Sequence, residues 1–130
     1  AGDSDRASKP TILVLSPLRH ARKHLARFFR NLHATDYPKN RVSLGFLVGD
    51  SDKETSEELQ RQLDTVRGHY RRVSVITRDV EPTTPIGSSH SDRHSVEVQY
   101  ARRVALAKAR NLLLYSALED EQWVLWIDSD

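Results

Sequence analysis

Neither cysteine nor methionine occurs among the 130 residues, and aromatic side chains account for only 7% of them. Without cysteine there are no disulfides and no thiolate metal sites, although many secretory-pathway domains share that lack, so the compartment stays open. No apolar run reaches the roughly eighteen residues that a membrane helix needs. Ala1 to Pro10 is also too polar for the apolar centre of a signal peptide. Glycine is sparse, at five residues. Neither a Gly-x4-Gly-Lys-Ser/Thr loop nor a Gly-x-Gly-x-x-Gly fingerprint exists, which disfavours P-loop NTPases and dinucleotide dehydrogenases. The net charge is only +2, too small for a chain built to coat nucleic acid.

What is present is a globular balance, with 38% hydrophobic and 29% charged residues in a length that suits one domain. Residues 1–9 read as a polar linker and 10–130 as the folded part. The run Thr11 to Leu15 is β-branched and aliphatic, bounded by Pro10 and Ser16-Pro17, as expected of a strand buried on both faces. From His20 to His33, Ala21, Leu25, Phe28, Phe29 and Leu32 recur at helical spacing. The basic residues between them, within the cluster Arg19 to Arg30, lack interleaved aromatics and read as a solvated face rather than a nucleic-acid surface.

Ala34 to Arg41 has loop composition, and Val42 to Val48 reads as a second strand ending at Gly49-Asp50. Ser51 followed by Glu54 matches a capping box, with Leu59, Leu63 and Val66 as the inner face of a helix closing near Gly68. Val73 to Thr77 gives a third strand. Val80 to Ser95, rich in Pro, Ser and Thr, reads as a long flexible loop. Helical spacing resumes with Val98, Ala101, Ala105, Leu112, Leu113 and Ser116, and Trp123 to Ile127 reads as a last buried strand. The alternation implies an α/β fold: a Rossmann-like parallel sheet with flanking helices and right-handed crossovers.

Ligands of such sheets bind beyond the carboxyl ends of the strands, where the strand order reverses. Four ends are therefore of interest: Ser16 to Arg19, Gly49-Asp50, Arg78-Asp79, and Asp128-Ser129-Asp130. In the last, two carboxylates one residue apart follow an apolar strand, an arrangement that suits a divalent cation. Mg²⁺ and Mn²⁺ take one or two protein carboxylates and leave other positions to water and a diphosphate. By itself the same spacing also describes a solvated turn. Asp50 fits either a ribose or base acceptor or the cap of the next helix. Arg103 and Arg110 lie seven residues apart on one helix face, beside Asn111. A guanidinium there could reach a diphosphate, although exposed helix arginines are commonly solvated. The six histidines show no zinc-like convergence.

Four segments in this order carry a resemblance: Ile-Leu-Val-Leu-Ser-Pro-Leu-Arg (12–19), Phe-Leu-Val-Gly-Asp (46–50), Ala-Lys-Ala-Arg-Asn-Leu-Leu-Leu (107–114) and Trp-Val-Leu-Trp-Ile-Asp-Ser-Asp (123–130). Together they resemble the fungal Golgi mannosyltransferases of the mannan polymerase complexes, glycosyltransferase family 62. The resemblance implies the nucleotide-binding N-terminal half of a GT-A domain in the Golgi lumen, belonging to a type II membrane protein whose anchor lies outside this chain. It implies a GDP-mannose donor, Mn²⁺ or Mg²⁺, and transfer to an N-glycan mannan acceptor in an α-1,6 linkage with retention. Related mannosyltransferase subunits are the implied partners. Position by position, it places Pro17, Leu18 and Arg19 along the nucleotide and Asp50 at the guanosine. Arg110 falls on the donor side, and Asp128 and Asp130 at the metal and diphosphate. The loop 80–95 matches nothing in the family pattern.

A first residue other than Met and a stop on the acidic motif read as a stretch truncated from a longer protein, incomplete as an active site by itself. The rival reading is a non-catalytic GT-A-like subunit or scaffold of a Golgi glycosyltransferase complex. A phosphatase with an aspartate nucleophile would need its Asp-x-Asp after the first strand, where Ser16-Pro17 stands.

Overall fold

The computed structural model describes residues 9–79 and 92–129, with side chains described from Val96 onward in the second stretch. In chain order the elements are β1 (Ile12–Leu18), α1 (Arg22–His33), β2 (Val42–Val48), α2 (Lys53–Val66), β3 (Arg72–Thr77), α3 (Asp92–Ala117) and β4 (Trp123–Trp126). Short 3₁₀ turns, Lys39–Arg41 and Arg67–His69, precede β2 and β3. The strands form one parallel sheet of order β3-β2-β1-β4. The chain thus steps outward from β1 to β3 and then returns to the other side of β1, which puts the topological switch point between β1 and β4.

Two apolar layers sandwich the sheet. On one face Leu25, Phe28 and Phe29 of α1 and Leu59 and Leu63 of α2 pack against Val14, Leu18, Leu44, Phe46 and Val48. On the other face Ala109, Leu113 and Ala117 of α3 cover Leu13, Leu15 and Leu47. Strand β2 is buried along its whole length, as a central parallel strand should be. Its Gly45 allows the closest helix approach: a Cβ there would stand 2.7 Å from Leu15 Cδ2 and 2.9 Å from Ala117 Cβ. The small residues of α3 and Gly45 together let the helix lie directly on the sheet.

Several sequence expectations need correction. Strand β1 does not stop at Leu15 but runs through Ser16-Pro17 to Leu18, paired throughout with β2. A proline is tolerated there because its nitrogen faces β4, whose ladder ends at Trp126. Helix α1 begins at Arg22 rather than His20, which has a positive φ of 48°. Asp52, not Ser51 or Asp50, caps α2, because its carboxylate reaches the N–H of Thr55 at 3.4 Å. Within the expected loop 80–95, residues 92–95 belong to α3, and 80–91 lie outside the described residues. The polar composition of 92–95 hides a helical turn that the packed C-terminal half of α3 carries. Finally, β4 is not a buried strand but a sheet edge: Trp123 and Leu125 are 64% and 49% exposed.

Candidate functional site

The carboxyl ends of β1, β2 and β3 open into the main cavity. Its floor is apolar, made by Pro17 and Leu18 from β1, Leu47 from β2, and Ala105, Leu106 and Ala109 from α3. Its rim is polar and charged: Arg19 and the imidazole of His20 after β1, Asp52 beyond β2, Arg78 and Asp79 after β3, and Arg102 on α3. An apolar floor with a few convergent polar groups is the usual form of a small-molecule site. The arginines of the rim suit an anionic ligand, and the aspartates a hydrogen-bond donor.

Hydrogen bonds between loops hold the rim. Asp52 Oδ2 accepts the N–H of His20 at 2.8 Å, while Thr55 Oγ1 accepts the N–H of Ala21 at 3.0 Å. The start of α1 is therefore tied to the start of α2, and this offsets the cost of the left-handed backbone at His20. Burial acts to raise the pKa of Asp52, but the hydrogen bonds from His20 and Thr55 outweigh it and lower the net value. Asp79 Oδ1 accepts from both the N–H and the hydroxyl of Ser51, at 3.2 and 3.1 Å. Gly49 permits this turn, since a Cβ there would lie 2.8 Å from the same Asp79 oxygen.

The sequence-derived candidates fall into two groups. Pro17, Leu18 and Arg19 all line the main cavity. Asp50 is exposed at the turn between Gly49 and Ser51, both of which line that cavity. Arg110, also exposed, places its guanidinium 5.5 Å from the ring centroid of Trp126 on β4. Asp128 follows two residues after Trp126 and borders a separate cavity formed with Ile127, Ser129 and the α1 residues Arg27, Phe28 and Leu32. Asp130 lies outside the described residues.

Asp52 was missed by sequence reasoning, and Arg78-Asp79 was named there as a strand end of interest without a role for either residue. Asp52 was hidden because Ser51-Asp52 offers two capping residues in a row. The signal for Asp79 was its position after β3, at a strand end that faces the same opening as β1 and β2.

As for a divalent cation, the described residues contain no group of three potential ligands. The donor set at the end of β4 nonetheless fits Mg²⁺ or Mn²⁺: Asp128 is an exposed carboxylate at a strand end, followed by a second carboxylate in sequence. These ions need only one or two such oxygens when a diphosphate supplies more.

Comparison with known proteins gives a consistent picture. The Anp1 family model matches residues 2–130. The mannan polymerase II complex anp1 subunit of Schizosaccharomyces pombe is 35% identical over 133 aligned residues, covering 97% of this chain and 30% of its own length. The corresponding ANP1 subunit of Saccharomyces cerevisiae is 36% identical, covering 92% of this chain and 25% of its own. The mannan polymerase complex subunit mnn9 of S. pombe is 33% identical, with 95% and 37% covered. This chain thus spans only 25–37% of the length of these curated relatives. A solved mannosyltransferase from Pyrobaculum calidifontis, in complex with GDP-Man and Mn²⁺, aligns with 70% of this chain and 25% of its own, at 15% identity and a TM-score of 0.49. That likeness is too slight to assign chemistry.

Proposed function

The chain belongs to the Anp1 family, and from that premise we propose that it is the nucleotide-binding part of a metal-dependent mannosyltransferase that uses GDP-mannose. In this reading the acceptor is N-glycan mannan, the linkage α-1,6, and the setting the Golgi lumen, with the membrane anchor and the acceptor-binding region in parts of the protein beyond this chain. Among the described residues no helix is long and apolar enough to cross a membrane. The observation that carries the reading is the cavity at the ends of β1, β2 and β3, with an arginine-bearing rim and an acidic motif on the next strand across the switch point.

Each group has a task that its position supports. Pro17, Leu18 and Leu47 offer apolar surface to a base or ribose, and Arg19, Arg78 and Arg102 offer guanidinium groups to phosphate. Asp128 and Asp130 would hold the divalent ion, which when bound offsets negative charge on the diphosphate leaving group. Arg110, restrained over the Trp126 ring, would supply a second positive charge on the donor side.

Calorimetric titration of GDP and UDP into the full-length protein, with and without Mn²⁺, tests the reading. The expected result is Mn²⁺-dependent binding of GDP in preference to UDP, lost in Asp128→Ala/Asp130→Ala. Absence of binding under every condition would overturn it. A second reading is favoured by the relatives' names, since each is called a complex subunit. A scaffolding subunit would keep its place in the complex, and the complex its activity, when both aspartates are replaced.

A further inference from the structure

Strand β4 joins β1 through a parallel ladder whose rungs can be followed one by one. Thr11 O accepts the N–H of Trp123, and four residues on Leu15 O accepts the N–H of Ile127, both at close to 3 Å (3.1 and 3.0 Å). In a parallel ladder the next rung would run from the N–H of residue 17 back to the carbonyl of Ile127. Residue 17 is proline and has no N–H to give. The Ser16 hydroxyl donates to Ile127 O instead, at 2.7 Å, from a side chain that is fully buried.

We infer that Ser16 is a positioning residue for the acidic motif: its hydroxyl replaces the backbone donor that Pro17 removes and fixes the peptide from which Asp128 projects. The role assigned to Asp128 rests on the proposed function; the replaced rung rests on the geometry alone. The arrangement lets the strand end take a proline, which contributes apolar surface to the main cavity, without freeing the carbonyl immediately before the metal-binding carboxylate. A half-buried carbonyl with no donor would be costly, and an unanchored strand end would let Asp128 wander. Outer-shell contacts of this kind set the orientation of metal ligands.

The logic predicts a specific non-additivity. With Pro17 present, Ser16→Ala leaves Ile127 O without a donor. With Pro17→Ala, a backbone N–H is available for the same carbonyl, and Ser16→Ala becomes neutral. The experiment uses full-length wild type, Ser16→Ala, Pro17→Ala and Ser16→Ala/Pro17→Ala, with two readouts. The first is Mn²⁺ affinity in the presence of GDP, followed by the loss of the free-ion electron paramagnetic resonance signal. The second is amide hydrogen exchange of the segment 126–130.

Ser16→Ala is expected to weaken Mn²⁺ binding roughly tenfold, the low end of outer-shell losses, and to speed exchange in that segment. The double variant should match Pro17→Ala in both. Wild-type exchange and affinity in Ser16→Ala would overturn the inference. So would equal losses from Ser16→Ala with and without the Pro17→Ala change. If the wild type binds no Mn²⁺, the proposed function fails, and the exchange rates alone still decide whether Ser16 holds the strand end. Should Ser16→Ala fail to fold, recovery of folding in the double variant supports the replaced rung and its absence overturns it.

Discussion

The carboxylate of Asp52 holds the backbone N–H of His20 at 2.8 Å, joining two loops that are 32 residues apart in sequence. The same side chain caps α2 through the N–H of Thr55. Asp52→Ala therefore removes a helix cap and a loop tie at once, and should cost about 1–2 kcal/mol in urea denaturation. Asp52→Asn, which keeps an acceptor oxygen, should lose less. Because the folded-state pKa is lowered from 3.8, the carboxylate's contribution is present above that value and declines as the pH falls below it.

Close packing of α3 on the sheet depends on residue 45. An alanine there would press its methyl against Leu15 and Ala117, both fully buried. Gly45→Ala should lower stability by about 1–3 kcal/mol, read as a drop in melting temperature. Adding Ala117→Gly should recover part of that loss if the overlap is with the helix, and none if it lies elsewhere.

Glu121 supplies a pH dependence at the opposite end of the sheet. Its carboxylate side chain is fully buried, accepting from Arg71 at 2.9 Å, Arg72 at 2.7 Å and the N–H of Glu119 at 3.0 Å. Burial alone would raise its pKa; the hydrogen bonds it accepts overcome that and bring it from 4.5 down to about 2. A depressed folded pKa means that the stabilisation is complete above about pH 4.5 and is lost as the pH falls toward 2. Denaturation midpoints measured between pH 6 and pH 2.5 should show this decline, flattened in Glu121→Gln, which should also be less stable at neutral pH.

Arg110 separates binding from folding. Its guanidinium lies over Trp126 but remains exposed, so Arg110→Ala should change unfolding by no more than about 1 kcal/mol. In the proposed function the same change weakens GDP binding in the presence of Mn²⁺ severalfold, measured by calorimetry. Equal losses in stability and affinity would make Arg110 structural.

The fold was largely legible because its signals are strong and local. The apolar run Ile12–Leu15 and the mostly apolar Val42–Val48, each bounded by turn residues, read as buried parallel strands, and the spacing of Leu25, Phe28 and Phe29 reads as an amphipathic helix. Misplaced boundaries have physical causes. Pro17 reads as a strand terminator, and its tolerance depends on which neighbour its nitrogen faces, a fact of register rather than of sequence. Trp123 and Leu125 read as buried because an apolar run does not say whether its strand is central or at an edge. In the candidate site, Pro17, Leu18 and Arg19 were readable as a strand end. Arg78-Asp79 was readable in the same way, but Asp52 and the bond of Asp79 to Ser51 were not, because both depend on contacts across loops.

The register of β4 also bears on how the molecule assembles. Each hydrogen bond that fastens its two ends, Gln122 with Thr11 and Ile127 with Ser16, closes a loop of 111 residues, whereas β1, β2 and β3 are joined by short helical crossovers. Contacts so distant along the chain carry the largest closure entropy and form late. The acidic motif thus follows the strand with the most distant pairing among the described residues, and the switch point requires that long-range closure. In the proposed function, metal affinity would then report that β4 is in place, whereas the cavity at the ends of β1, β2 and β3 is lined only by residues that precede it.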